Sequence, residues 1–152
     1  MALWIFSSNT VENIQIAKER LMWGFWDREA GKKQRENWRQ FIRLYNKIKS
    51  FDIAIIQIAR TGEIHAIAII KDTYHDDQTP VWPNEMRQKR VLYPWRVSFS
   101  NILFSDAPFT SHFIKLENYI DGYGLGELPE HEFRKILGDV KAKIDAEINY
   151  EV

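Results

Sequence analysis

Two asparagines and two tryptophans carry the chemistry that can be inferred most directly from this sequence. Asn9 and Asn13 lie where an apolar run gives way to a predicted helix, and each side-chain amide offers a hydrogen-bond donor and an acceptor. Trp23 follows that helix, and Trp82 lies in the middle of a long polar segment. Amides that read the edge of a planar heterocycle, with aromatic rings that sandwich it, are how proteins hold unstacked nucleic-acid bases. The pattern predicts a base-binding site; the alternative is that both tryptophans pack in the core.

The asparagines lie at the junction of a predicted strand and a predicted helix. An apolar run at residues 3–6 is followed by a polar turn. Thr10 is suited to cap the helix, because its hydroxyl can accept a backbone N–H that the first turn leaves unpaired. Asn9 and Asn13 therefore lie near one another at the start of the helix, where they either contact a ligand or cap the helix and its turn.

The run SNTVENIQIAKERLMW, residues 8–23, resembles the opening of the YTH domain, the reader of N6-methyladenine. That family has Ser-Asn, an Asn in the following helix, Ala-Lys and the first cage tryptophan, matched here without a gap by Ser8, Asn9, Asn13, Ala17, Lys18 and Trp23. RTGEIHAIAII (60–70) is similar to the family's hairpin, and TPVWP (79–83) to the loop with the second cage tryptophan. LYPWRVSF (92–99) and ELPEHEFRKI (127–136) look more like EVE domains, the prokaryotic relatives of YTH in the PUA-like superfamily.

The resemblance implies an α/β (α+β) fold in which about three helices flank a curled, mostly antiparallel, barrel-like sheet. One such domain accounts for residues 1–152. The implied function is non-catalytic: a methylated base, most simply N6-methyladenine, lies in a pocket between the indoles of Trp23 and Trp82. The implied base-binding residues are Ser8, Asn9, Asn13, Trp23, Gly24 and Trp82.

The same resemblance assigns a role to most of these residues. Asn9 and Asn13 would bond the ring nitrogens, and the backbone around Trp23 and Gly24 would accept the methylamino hydrogen. The family usually has a small polar residue where Gly24 stands, so a backbone contact survives here and a side-chain contact does not. The family's lysine before Ser-Asn is Ser7 in this chain, which removes one expected phosphate contact.

The partner implied is methylated DNA with the modified base flipped out. Eukaryotic YTH domains read RNA, whereas prokaryotic EVE-like and YTH-like modules often serve as specificity domains of methylation-dependent restriction systems. A restriction NTPase domain in the same full-length chain is then the implied protein partner. Three alternatives stay open: an RNA reader of N6-methyladenine, an EVE-type reader of modified cytosine in DNA, and a protein-interaction module that binds no base.

The charges are divided unevenly along the chain, although the formal net charge is zero. Residues 1–100 contain 16 Lys or Arg and 11 Asp or Glu, whereas residues 101–152 contain 5 and 10. A basic face on a neutral protein suffices for phosphate contacts, because binding depends on local charge. An ordinary solvated surface is the alternative. The predicted phosphate-binding residues are Arg35, Arg39, Arg60, Arg87, Lys89 and Arg90.

Composition favours a globular, cofactor-free protein that does not enter membranes. The 152 residues are 45% hydrophobic and 28% charged, and no apolar run approaches the roughly 18 residues of a membrane span. The absence of cysteine excludes thiolate chemistry and fits a reducing cytoplasm. The four histidines lack metal-ligand spacing. Residues 75–77, His-Asp-Asp, could bind a metal or form a solvated loop, and GYGLG (122–126) is expected to be only a turn.

The remaining elements follow from apolar spacing and turn residues. Helices are predicted at about 34–49 and 129–147, and strands at 52–59, 63–70 and 91–99. A hairpin turn is predicted at 60–62, and the last strand is predicted to continue at 102–104 after a bulge. The continuous Ile and Ala runs indicate strands that are buried on both faces. Residues 71–90 are predicted to form a long loop, and such loops are often functional.

Overall fold

The computed structural model describes residues 1–27, 32–111 and 113–151. Within these ranges the strands are β1 (Leu3–Ser8), β2 (Met22–Phe25), β3 (Ile53–Ile58), β4 (Glu63–His75), β5 (Trp95–Phe104), β6 (Thr110–Ser111) and β7 (Leu125–Glu127). The helices are α1 (Val11–Arg20), α2 (Lys32–Tyr45), α3 (Pro83–Gln88), α4 (Glu130–Glu151) and a 3-10 helix, Phe113–Tyr119. None of the helices in these ranges is both long and apolar enough to span a membrane.

The strands form one curled, mostly antiparallel sheet in the order β2-β5-β4-β3-β1-β7, and the short β6 also pairs with β4. Only β1 and β3 pair in parallel. Register shifts interrupt the pairing of β3 with β4 and of β4 with β5. Such irregularities bend strands and increase their twist, which accounts for the curl. The predicted mixed α+β fold with a barrel-like sheet is confirmed.

Apolar side chains cover both faces of the central strands. In β1, Trp4 and Phe6 join a core on the side of α1 and α2, whereas Leu3 and Ile5 join a second core. The second core is completed from α4, where Phe133 is one of the buried residues. Since side chains of a strand alternate between its faces, this division follows from the continuous apolar run. The predicted burial on both faces is confirmed.

The predicted long loop at residues 71–90 is largely wrong. β4 continues to His75 because residues 72–75 pair with β5, and Pro83–Gln88 form α3. Pro83 fits the first turn of a helix, where its missing N–H removes no hydrogen bond. The irregular part is thereby reduced to residues 76–82 and a segment around Pro94, and β5 begins at Trp95 rather than at residue 91. The described α-helices number four rather than about three.

Candidate base-binding site

An open cavity of about 400 Å³ lies where β1 and β3 end. Because β1 and β3 are parallel, their carboxyl ends meet at the same edge of the sheet. The cavity is lined by Ser7, Ser8, Asn9, Asn13, Trp23, Gly24, Trp26, Ala59, Arg60, Trp82, Tyr93, Glu117, Ile120, Asp121, Gly122, Tyr123 and Gly124. The fold therefore brings all six predicted base-binding residues around one space, together with one of the predicted phosphate-binding arginines.

The two amides are not needed to cap α1. The cap is Thr10, as predicted, whose hydroxyl accepts the backbone N–H of Asn13 at 3.1 Å. Ser8 is engaged in the same turn, since its hydroxyl donates to the carbonyl of Thr10 at 2.7 Å. The side-chain amides of Asn9 and Asn13 make no hydrogen bond to the described part of the chain. Both amides therefore line the cavity without a hydrogen bond to the described residues, whereas the Ser8 hydroxyl is already hydrogen-bonded within its turn.

The predicted sandwich between the two indoles is not what the structure shows. The ring centroids of Trp23 and Trp82 lie 5.7 Å apart and the ring planes meet at 76°, so the indoles touch edge to face. Only 6% and 2% of these residues are exposed, and no base fits between the two rings. Two nearly perpendicular rings form a corner instead. A base can stack on one face of a corner while a substituent on the base meets the other face.

A buried carboxylate holds Trp82 in this corner. Glu85, in the first turn of α3, is fully buried. One of its oxygens accepts the backbone N–H groups of Val81 and Trp82 at 2.9 and 3.2 Å, and the other accepts those of Leu92 and Tyr93 at 2.7 and 3.0 Å. Four otherwise unpaired donors on two irregular segments are thereby satisfied by one side chain.

The buried guanidinium of Arg96 neutralises this carboxylate. It lies 3.6 Å from Glu85 and 3.0 Å from Asp76, and its carbon atom lies 5.8 Å from the centre of the Trp82 ring. A planar guanidinium suits both an ion pair and an aromatic face. Asp76 is therefore a partner of Arg96, and the described residues contain no group of side chains able to hold a metal ion, which leaves the metal alternative at residues 75–77 without support.

Gly24 supplies backbone groups to the cavity. The N–H of Phe99 donates to the carbonyl of Leu21 at 2.8 Å, so these two residues form a hydrogen-bonded pair. Such pairs occur at every second residue of an antiparallel ladder. Gly24, three residues after Leu21 and opposite Arg96, is therefore a non-bonded position whose N–H and C=O point away from β5. β2 ends the strand order, and its free side faces no other strand of the described sheet. A Cβ at Gly24 would lie 2.9 Å from the backbone oxygen of Tyr93 and from the ring of Trp82. Only glycine allows these segments to approach so closely.

One wall of the cavity, formed by residues 117–124, was not predicted from the sequence. The prediction that GYGLG is only a turn is wrong: Leu125 and Gly126 belong to β7, which pairs with β1, and the turn residues Gly122, Tyr123 and Gly124 line the cavity. Asp121 precedes them, and burial raises the pKa of its carboxyl to about 6, against the opposing effect of backbone N–H groups. The only signal in the sequence was the Asp-Gly pair, which is typical of any turn.

The predicted phosphate-binding residues are dispersed around this site. Arg60 lies on its rim in the turn between β3 and β4, whereas Arg39 is exposed on α2. The side chain of Arg35 lies outside those the structure describes. Arg87, Lys89 and Arg90 are exposed at the end of α3, the helix whose N-cap is Trp82. A phosphate role for these residues stays a prediction.

Replacing Lys89 and Arg90 together by Ala is expected to weaken binding to all oligonucleotides alike and to flatten its dependence on salt. Each lost phosphate contact reduces the slope of log affinity against log salt by about 1. Titrations between roughly 50 and 200 mM salt measure the slope. The matched control replaces Lys141, exposed on α4, by Ala and should leave the slope unchanged. An unaltered slope in the double variant would place the phosphate contacts elsewhere.

Comparison with solved structures identifies the fold as that of a YTH domain. The chain superposes on the YTH domain of Zygosaccharomyces rouxii MRB1, solved in complex with N6-methyladenosine RNA, with a TM-score of 0.52 at 10% identity over 91% of this chain and 86% of that one. Human THYN1 in complex with 5-methylcytosine DNA gives a TM-score of 0.44 at 12% identity, over 92% of this chain and 98% of that one.

Comparison of sequences gives the family. The chain is 60% identical over 137 residues to the uncharacterized protein MJ1369 of Methanocaldococcus jannaschii, a match that covers 90% of this chain and 88% of that protein. The protein belongs to the same family as MJ1369. No family model matches the sequence.

Proposed function

We propose that this protein is a non-catalytic reader of a methylated base, N6-methyladenine, which enters the cavity after flipping out of DNA. The observation that carries the proposal is the convergence of two unused amides and an aromatic corner on one open cavity. Its volume of about 400 Å³ lies within the range of about 300–1,000 Å³ that is usual for small-ligand sites. The complex of the Z. rouxii domain with N6-methyladenosine RNA, on the same fold, supports the choice of base.

In this proposal each part of the cavity contacts a different part of the base. The base stacks on one indole of the corner, and its methyl group lies against the other. The amides of Asn9 and Asn13 bond the ring nitrogens, since each can donate or accept. The outward C=O of Gly24 accepts the single methylamino hydrogen. An unmethylated amino group would place a second N–H against the aromatic face, where it loses water and gains no acceptor.

The nucleic acid belongs to the proposal as well. Extruding a base from duplex DNA costs free energy of unstacking and unpairing, and this cost is smaller in a single strand. The same pocket should therefore bind a single-stranded probe more tightly than a duplex one. A methylation-dependent restriction system, with an NTPase domain in the full-length chain, is the setting that the sequence resemblance suggests. RNA with the same methylated base is the direct competitor, and comparison of matched DNA and RNA oligonucleotides decides between them.

The variant Asn13→Ala tests the proposed function. It is expected to weaken binding of an N6-methyladenine oligonucleotide by about tenfold, because one hydrogen bond to the base is lost, while the melting temperature stays within about 2 °C of wild type. Because Thr10 caps the helix, the side-chain amide of Asn13 is not needed for the stability of the fold. Fluorescence anisotropy with methylated and unmethylated oligonucleotides, in DNA and RNA, gives the affinities.

The matched control is Gln15→Ala, which removes an exposed amide from the same helix outside the cavity. It should bind as wild type does. Equal affinity of the wild-type protein for methylated and unmethylated oligonucleotides would refute the proposed function. A variant Asn13→Ala that melts lower and binds normally would remove Asn13 from the site and leave the cavity to be tested through Asn9.

A further inference from the structure

Only one of the two carboxyl oxygens of Asp121 accepts hydrogen bonds within the fold. Its Oδ1 accepts the backbone N–H groups of Tyr123 and Leu125 at 2.8 and 3.1 Å, which fixes the turn. Its Oδ2 is buried and has no hydrogen-bond partner. The great majority of buried polar atoms are paired, and Asp121 lies in the wall of the cavity. An unpaired oxygen there marks a hydrogen-bonding site for a ligand.

The turn that carries Asp121 is fixed relative to the amides. The N–H of Asp121 donates to the carbonyl of Leu125 at 2.8 Å, and the carbonyl of Gly124 accepts the N–H of Ser7 at 2.9 Å. Ser7 stands two residues before Asn9 in the chain. The turn that carries Asp121 is therefore attached to the strand that leads to Asn9, and both residues line the same cavity.

Among the described residues, no cation forms an ion pair with this carboxyl group. The other titratable side chains among the described residues of the cavity are Arg60, Tyr93, Glu117 and Tyr123, and the described part of the chain shows no ion pair to Asp121. Glu117 adds a second acidic group, with one oxygen turned to the backbone N–H of Arg60. Burial, which raises the pKa of Asp121 to about 6, and a ligand that excludes more water both favour the neutral acid.

The chemistry of the ligand decides which form of the acid is useful. In a nucleic acid, N6-methyladenine carries a single N–H donor on the base, and its ring nitrogens N1, N3 and N7 are acceptors. When the outward carbonyl of Gly24 takes that hydrogen, the rest of the base offers only acceptors. An ionised carboxylate would face an acceptor and repel it, whereas a protonated one can donate.

We propose that Asp121 contacts the base as a neutral carboxylic acid, whose Oδ2–H donates a hydrogen bond to a ring nitrogen. This inference rests on the proposed function and adds a residue to it. Binding then requires a proton on Asp121. The pKa of about 6 in the free protein makes the protonated fraction fall with pH, and affinity should drop by about twenty-fivefold from pH 5.5 to pH 7.5 if only the protonated form binds.

The variant Asp121→Asn tests the inference. The amide oxygen of the variant can still accept hydrogen bonds from the two backbone N–H groups of the turn. Its NH₂ group can donate to the base at every pH, in the position of the protonated Oδ2. Titrations with an N6-methyladenine single-stranded DNA oligonucleotide from pH 5.5 to 7.5 should show falling affinity for wild type and constant affinity for the variant. At pH 7.5 the variant should bind at least tenfold more tightly than wild type, and it should melt no lower.

Four outcomes overturn the inference in distinguishable ways. Wild-type affinity that does not change with pH removes the neutral acid but leaves the reader function intact. Weaker binding by Asp121→Asn at pH 7.5, with unchanged melting, shows that the ionised carboxylate accepts a hydrogen bond instead. Absence of discrimination for the methylated base at every pH removes the proposed function and this inference with it. A pH dependence that persists in the variant arises from another group and also refutes the role of Asp121.

Discussion

Replacing Glu85 by Gln is expected to lower the free energy of unfolding by about 3–5 kcal/mol. The substitution preserves shape but removes the charge that compensates the buried guanidinium of Arg96. It also turns an amide NH₂ toward two of the four backbone N–H groups that the carboxylate accepts. Removing one partner of a buried ion pair is costly, and Arg96 then keeps, among the described residues, only the partly exposed Asp76 as its counter-charge. Urea denaturation followed by circular dichroism measures the loss.

The matched control is Glu130→Gln. Glu130 pairs with Arg134 at 2.7 Å on α4, and both side chains are at least 70% exposed. An exposed helix pair contributes about 0.3–0.5 kcal/mol, so this control should unfold almost as wild type does. Similar losses in the two variants would mean that the Glu85 network is not the anchor of α3 and Trp82. Binding of the methylated oligonucleotide should also weaken in Glu85→Gln, since the segments on both sides of Trp82 lose their attachment.

Replacing Trp82 by Ala is expected to weaken binding of the methylated oligonucleotide by roughly ten- to a hundredfold, the effect of losing one aromatic contact of about 1–3 kcal/mol. Discrimination against the unmethylated oligonucleotide should shrink too, because the corner no longer covers the methyl group. Trp82 is buried, so the same change is expected to cost about 3–5 kcal/mol of stability. Affinity is therefore measured well below the melting temperature of the variant.

Trp4→Ala separates the contribution of the ring from the general cost of a cavity in the core. Trp4 is fully buried, donates its indole N–H to Asp52 at 2.9 Å, and does not line the binding cavity. Its loss should destabilise the fold by a comparable amount and leave the affinity of the folded protein unchanged. Equal losses of affinity in the two variants would assign Trp82 to the core alone. Should Trp82→Ala fail to fold, Trp82→Phe replaces it in the binding test. Phe keeps most of the apolar volume in the core but presents a smaller aromatic ring to the base.

Local features of the fold could be predicted because they depend on neighbouring residues. Thr10 caps α1 through a hydroxyl three residues from its donor. The turn between β3 and β4 has Arg60 and Gly62 at φ values of 67° and 66°, and a glycine in such a turn is a strong signal. The burial of the central strands on both faces followed from the continuous apolar run. Each of these inferences needed only a few consecutive residues.

Features that depend on distant residues could not be predicted. α3 depends on a carboxylate that gathers N–H groups from two segments, and this network is visible only when residues 76–96 are folded. The perpendicular rings of Trp23 and Trp82 depend on the close approach of Gly24 to Tyr93, a contact across almost seventy residues. The resemblance supplied six residues that the structure brings around one cavity, and their roles in binding stay predictions. Asp121 was missed because its turn reaches the site through the pairing of β7 with β1 and the bond between Ser7 and Gly124, which join distant parts of the chain.

The four N–H groups held by Glu85 bear on the kinetics of recognition. A segment attached at both ends has few conformations to lose, so the protein contributes little ordering entropy when a ligand arrives. The backbone of the site should change little between the free and the bound protein, whereas the side chains of Trp23 and Trp82, only 6% and 2% exposed, must turn to offer a ring face to the base. The rate-limiting step of association is then the unstacking of the base, so the association rate constant should rise with the fraction of time that the base is unstacked. Mismatches or single strands around the methylated base should raise the association rate constant and leave the dissociation rate constant nearly constant.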